Sequence, residues 1–99
     1  MILYNIELIR EHCLKYHQCK GAMDMWENRV RSATWKTFSD VKNVFRTADY
    51  TDGLIIFNIQ GNHHRLVVEA VFHEGAVAIK WVGTHSEYDK KCKKGGFKL

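Results

Sequence analysis

Two short stretches hold residue types from which chemistry is made. "FNIQGNHHRL", Phe57 to Leu66, sets two histidines and an arginine directly after a Gly-Asn turn. "THSEYD", Thr84 to Asp89, brings a histidine and a tyrosine together where a strand gives way to a helix. An arginine is always charged and can grip two phosphate oxygens at once. An imidazole titrates near about pH 6.5, where it can give or take a proton. A third stretch, "EHCLKYHQC", carries His12, Cys13, His17 and Cys19. Cys13 and His17 share a helix face there, but Cys13 falls on the apolar stripe and reads as a small buried residue. His63 and His64 are adjacent, so on a strand they point to opposite faces. No carboxylate or cysteine stands beside them at ligand spacing, and no metal site is expected there. The chain has no P-loop, GxGxxG or GxSxG, so nucleotide binding and acyl transfer lack support.

The elements that must position these residues divide into a helical first half and a β second half. Ile2 to Tyr4 fits a short strand, with Asn5 as the N-cap of a first helix. Ile6, Ile9, Cys13 and Tyr16 recur at helical spacing, Gly21 reads as a stop, and Met23, Trp26, Val30 and Ala33 repeat the pattern. A helical hairpin is expected. Ser39 reads as the cap of a third short helix, and "RTADYTDG" as a loop. From Leu54 the period changes, and three runs rich in β-branched residues are separated by Gly61-Asn62 and Glu74-Gly75. They predict a three-stranded antiparallel meander, or four strands with the first, in a single α+β domain over residues 1–99.

If both turns are two-residue loops, the register is fixed. Asn58 then faces Arg65, Glu69 faces Lys80, and Arg65 faces Thr84, with His85 just past the strand end. One face carries Ile55, Phe57, Ile59, Leu66, Val68, Ala70, Phe72, Val77, Ile79 and Trp81, ready for the helices to cover. The other presents Asn58, Arg65, Glu69, Lys80 and Thr84 to solvent. Each of these also has a plain structural role. Arg65 and Asn58 can be ordinary exposed strand residues, Lys80 can pair with Glu69, and Thr84 with Glu87 makes a capping box at a helix start.

Composition sets the frame. In 99 residues, hydrophobic types make up 45% and charged types 26%, normal for a globular chain. No apolar run nears the roughly 20 residues of a membrane helix, and the start lacks the features of a secretory signal. Three cysteines, odd in number and without CxxC, suggest free thiols in a reducing cytosol. A cytoplasmic protein without a membrane partner is expected. The net charge of +4 and five lysines among the last ten residues, Lys90 and Lys91 included, suit a polyanionic partner.

Together the two motifs resemble the HigB family of toxins, part of the RelE-like superfamily of bacterial toxin–antitoxin systems. The shared pattern is a tryptophan-containing helical first half, FNI-x-GN-x-x-RL, a strand, and TH-x-EYD. Trp35, Phe45 and Ala48-Asp49 also fall in place, so the likeness runs from about Trp26 to Asp89. The resemblance implies a RelE-like fold, with two helices on one face of an antiparallel sheet. It implies a ribosome-dependent messenger-RNA endonuclease, held in check by a cognate HigA-type antitoxin, with ribosomal RNA as a further contact and no cofactor or metal. Arg65, His85 and Tyr88 carry over as catalytic residues. Asn58 stands near where relatives place a basic catalytic residue, and His63-His64 where Lys-Tyr is the pattern. Asn58, His63, Lys80, Lys90 and Lys91 are the expected RNA contacts. The competing reading is a non-enzymatic RNA-binding or regulatory module on the same fold.

Overall fold

The computed structural model describes residues 1–93 and 95–97. The chain enters through β1 (Ile2–Tyr4) and turns at Asn5, whose φ of 66° is left-handed. Asn5 does not cap the first helix. Its Nδ2 instead donates to the Ile79 carbonyl at 3.0 Å, tying the turn to the sheet. α1 (Glu7–Lys15) ends at Tyr16, a 3₁₀ turn covers His17–Cys19, and α2 (Lys20–Ser32) starts at once. Gly21 therefore lies inside α2 and is not a stop, because Tyr16 (φ −126°, ψ 81°) already breaks the helix. α3 (Phe38–Val44) is capped by Thr37, which forms a capping box with Asp40, and the expected cap Ser39 lies within the helix.

The β half begins earlier than expected. β2 (Asp49–Thr51) lies in the stretch read as a loop and pairs with β3 (Leu54–Ile59). β4 (His64–Val71) and β5 (Ala76–Thr84) complete the meander. β1 joins the far side of β5 in parallel, so the order is β1-β5-β4-β3-β2. The sheet is thus five-stranded and mixed, where three or four antiparallel strands were expected. A parallel pair needs a long crossover, and here nearly the whole chain supplies it. The α+β class stands.

Spacing explains which face the helices cover. Met23, Trp26 and Val30 on α2 and Ile9 on α1 are buried against Ile55, Phe57, Leu66, Val68, Val77 and Ile79. Trp26 meets Phe57 edge-on at 5.4 Å between centroids, and Phe45 also meets Phe57 edge-on, at 5.0 Å. Burial of each large side chain stabilises the fold by roughly 1.5–3 kcal/mol.

The register holds in one hairpin and shifts in the other. Asn58 pairs with Arg65 as expected, although the connection spans four residues with Gln60 and Gly61 at positive φ. The second turn is longer: a 3₁₀ turn Phe72–Glu74 precedes left-handed Gly75. Glu69 therefore faces Ala78, not Lys80, and Arg65 faces Gly83, not Thr84. A bulge lies where Val68 pairs with Ile79 but Val67 with Trp81, which leaves Lys80 as the extra residue. Side-chain parity inverts past it. Trp81 consequently leaves the helix-covered face and joins the opposite one, where Ile56, Val67 and Phe97 form a second small core.

Candidate active site

Arg65 stands where the opposite face meets the last helix, α4 (His85–Lys91). It is not presented to solvent as expected but is only 8% exposed. Its Nη1 donates to the carbonyls of Asn62 (3.2 Å) and His64 (3.1 Å), and Nη2 donates to Asn62 Oδ1 at 2.6 Å. A guanidinium has five N–H donors, and among the described residues three of them are bonded within the chain, leaving two for a ligand. The Tyr88 ring covers the guanidinium, with Cζ 5.7 Å from the ring centroid. Asn62 is a residue that sequence reasoning missed. The Gly-Asn pair reads as turn punctuation, and nothing in it announces that the amide clamps a residue three positions on.

α4 is aimed by its N-cap, Thr84. Thr84 Oγ1 accepts from the Glu87 backbone N–H at 3.1 Å, and Glu87 Oε1 accepts from the Thr84 N–H at 2.8 Å. The expected capping box is present. The Thr84 N–H beside Glu87 holds its carboxyl below the usual range, against a smaller opposing effect of burial. The His85 backbone N–H donates to the His63 carbonyl at 2.9 Å, so α4 starts against the tip of the first hairpin. His85 and Tyr88, three apart, share one side of the helix. The half-buried His85 turns Nδ1 toward Asp89 Oδ2 at 3.2 Å, off the line of a hydrogen bond. Among the described residues its Nε2 has no partner within the chain.

Burial pushes the Tyr88 phenol up to about 12, with the Cys92 thiol beside it as the next cause. It is therefore a neutral donor near pH 7 and not a base. Tyr88 is itself held in an aromatic layer. Phe97 stacks on it at 5.3 Å with an 11° interplanar angle, and Trp81 meets Phe97 at 5.5 Å and Tyr88 at 6.2 Å. The Trp81 indole lies along the strand over Gly83, where any Cβ would overlap the ring. Gly83 is also the cross-strand partner of Arg65. Neither Trp81 nor Phe97 was anticipated here. A bulge leaves no mark in the residue pattern, and Phe97 is separated from the motifs by the lysine-rich tail.

The other expected residues scatter. Asn58 is half-buried opposite Arg65, and His63 is exposed at the hairpin tip. Lys90 is exposed and Lys91 half-buried in the last turn of α4. Lys94 and Lys98 lie outside the described residues. Lys80 does not belong with this group. The bulge turns it to the edge of β5, into a groove of about 300 Å³ shared with Leu8, Glu11 and His12 of α1. Taken together, the site is a buried guanidinium under the Tyr88 phenol, with the His85 imidazole one turn from that phenol on α4.

A family model described as the RelE-like toxic component of a toxin–antitoxin system, HigB toxin, matches residues 19–91. The chain belongs to the HigB toxin family. Among its HigB relatives is the mRNA interferase toxin HigB of Escherichia coli (strain K12), 30% identical over 92 residues, which cover 90% of this chain and 88% of that protein. The mRNA interferase HigB proteins of Escherichia coli O157:H7 and Shigella flexneri match to the same extent. The HigB match takes in Asn62, Arg65, Gly83, His85 and Tyr88. It ends before Phe97. Among the described residues no helix is long and apolar enough to cross a membrane.

Proposed function

We propose that this chain is a toxin that cleaves messenger RNA on the ribosome, without a metal, by attack of a ribose 2′-hydroxyl on the neighbouring phosphate. The observation that carries the reading is the Arg65 guanidinium, fixed by Asn62, covered by Tyr88 and, among the described residues, left with two free donors, in a chain whose relatives are named mRNA interferases. The same reading takes the fold as RelE-like, the chain as one domain over 1–99, its location as the cytoplasm, and its partner as a HigA-type antitoxin.

Each residue has a task in that reaction. The attack builds negative charge on the phosphate oxygens, and a preorganised guanidinium stabilises it at little reorganisation cost. Arg65 supplies that charge. His85 transfers the proton, since an imidazole near neutrality serves as acid or base. Tyr88, protonated near pH 7, donates to the phosphate or stacks on a splayed base. Asn58 cannot act as a base and positions RNA. His63, Lys90 and Lys91 hold RNA backbone, ribosomal RNA among it, and Lys80, away from Arg65, is at most a peripheral contact.

Induced expression tests the proposal. The wild-type chain should arrest growth and deplete messenger RNA, and Arg65→Ala or His85→Ala should each cut cleavage on ribosomes by about 10²-fold or more. Growth unaffected by the wild-type chain would favour the RNA-binding module. Undiminished toxicity in both folded variants would overturn the site.

A further inference from the structure

His64 points away from Arg65, through the sheet, into a cluster that the proposed reaction does not use. It is 2% exposed, and its Nδ1 lies 2.9 Å from Nε2 of His12 on α1. Cys19, at the end of the 3₁₀ turn, is fully buried beside them. The ligand atoms of His12, Cys19 and His64 all lie within 4.8 Å of one another. Cys13 adds a fourth soft donor, with its Sγ 3.7 Å from that of Cys19. Tyr16 walls the cluster, its ring 4.8 Å from His12 and 5.5 Å from His64.

We infer that His12, Cys19 and His64 are ligands of a structural zinc site that staples α1 and the turn before α2 to β4, with Cys13, whose Sγ lies 3.7 Å from that of Cys19, the neighbouring thiol that would swing in as the fourth donor. Two imidazoles and two thiolates are the donor set of closed, tetrahedral zinc centres. Bond lengths of about 2.0–2.1 Å to nitrogen and 2.3 Å to sulfur give ligand–ligand edges of about 3.3–3.8 Å. The two sulfurs already hold such an edge. The imidazoles, hydrogen-bonded now, must open by a few tenths of an ångström, and Cys19 must close on them by about 1 Å.

The surroundings fit this use. Burial lowers the proton affinity of both imidazoles, so near pH 7 each is neutral and keeps a lone pair for a metal. The Cys19 thiol is pushed up to about 12, chiefly by burial, so it stays protonated unless a cation displaces the proton. Each thiol that binds releases one proton, and affinity should therefore rise with pH. The family model begins at Cys19, so His12 and Cys13 lie outside its match. The site is independent of whether the chain cuts RNA.

The test uses the full chain, stripped with a chelator and titrated with Co²⁺ as a coloured stand-in for Zn²⁺. One equivalent should produce tetrahedral visible bands and a thiolate-to-metal charge-transfer band. Cys19→Ser should abolish the charge transfer or weaken binding at least tenfold, and His64→Gln should weaken it at least tenfold. His17→Gln, in the exposed part of the same turn, should change neither. A second measurement needs no variant. Zn²⁺ should slow alkylation of the half-buried Cys13 tenfold or more and leave Cys92 unaffected. No stoichiometric Co²⁺ spectrum in the wild type, a spectrum that survives both ligand variants, or equal labelling with and without Zn²⁺ would each overturn the site.

Discussion

At the scale of single residues, the way Arg65 is held matters most. An exposed strand arginine loses much of its rotamer freedom when it binds a phosphate. Here Asn62 and the His64 carbonyl have already fixed the side chain, and the Tyr88 ring shields it from water. Charge alone does not describe that role. Lysine keeps the charge but offers a point donor that cannot span two phosphate oxygens while also reaching Asn62. Arg65→Lys should therefore lower the single-turnover cleavage rate by roughly 10²-fold, the size of effect seen when one transition-state donor is lost. A rate within a factor of three of wild type would show that net charge, not the fork, does the work.

Elements decide where those residues stand, and the bulge at Lys80 decides most. It turns Trp81 onto the Arg65 face, and glycine at position 83 lets the indole lie over it and meet Tyr88 and Phe97. A methyl group there must push the ring aside. Gly83→Ala should destabilise the fold by about 1–3 kcal/mol in urea unfolding, and it should also loosen Tyr88 over Arg65 and lower cleavage. An unchanged midpoint with unchanged activity would mean the aromatic layer plays no part. The same elements mark what could be read from the residues alone. The helical stripes, the first hairpin register and the Thr84 cap were legible because periodicity and capping chemistry are local. The bulge, β2 and the parallel pairing of β1 were not, because three-residue strands and one-residue insertions are chosen by the partners they meet. Arg65, His85 and Tyr88 were named from motif likeness, whereas Asn62, Trp81 and Phe97 needed the fold to bring them in.

Over the whole molecule, one sheet separates two kinds of chemistry. The helix side holds the main core and the histidine–cysteine cluster, and the other side holds Arg65 under its aromatic layer. α1 and α2 must stay seated on the sheet for the cluster to persist, and Glu27 links them. Its carboxylate meets Arg10 of α1 at 2.8 Å and Arg31 of α2 at 2.9 Å. The hydrogen bond from Arg10 is the main cause that holds the Glu27 carboxyl below its ordinary value of 4.5, with Arg31 adding to it. A folded-state pKa below the unfolded one means the unfolded chain binds more protons as the medium turns acid. The stabilisation is thus complete above about pH 4.5 and is lost as pH falls through the lower folded value. Both arginines are about half exposed, so solvent screens the network, and about 1 kcal/mol is the expected scale. Glu27→Gln should therefore lower the urea midpoint near pH 7 modestly, flatten the loss of stability below pH 4.5, and bring the two proteins together at the acid end. Parallel stability curves down to acid pH would show that Glu27 does not carry this part of the pH dependence.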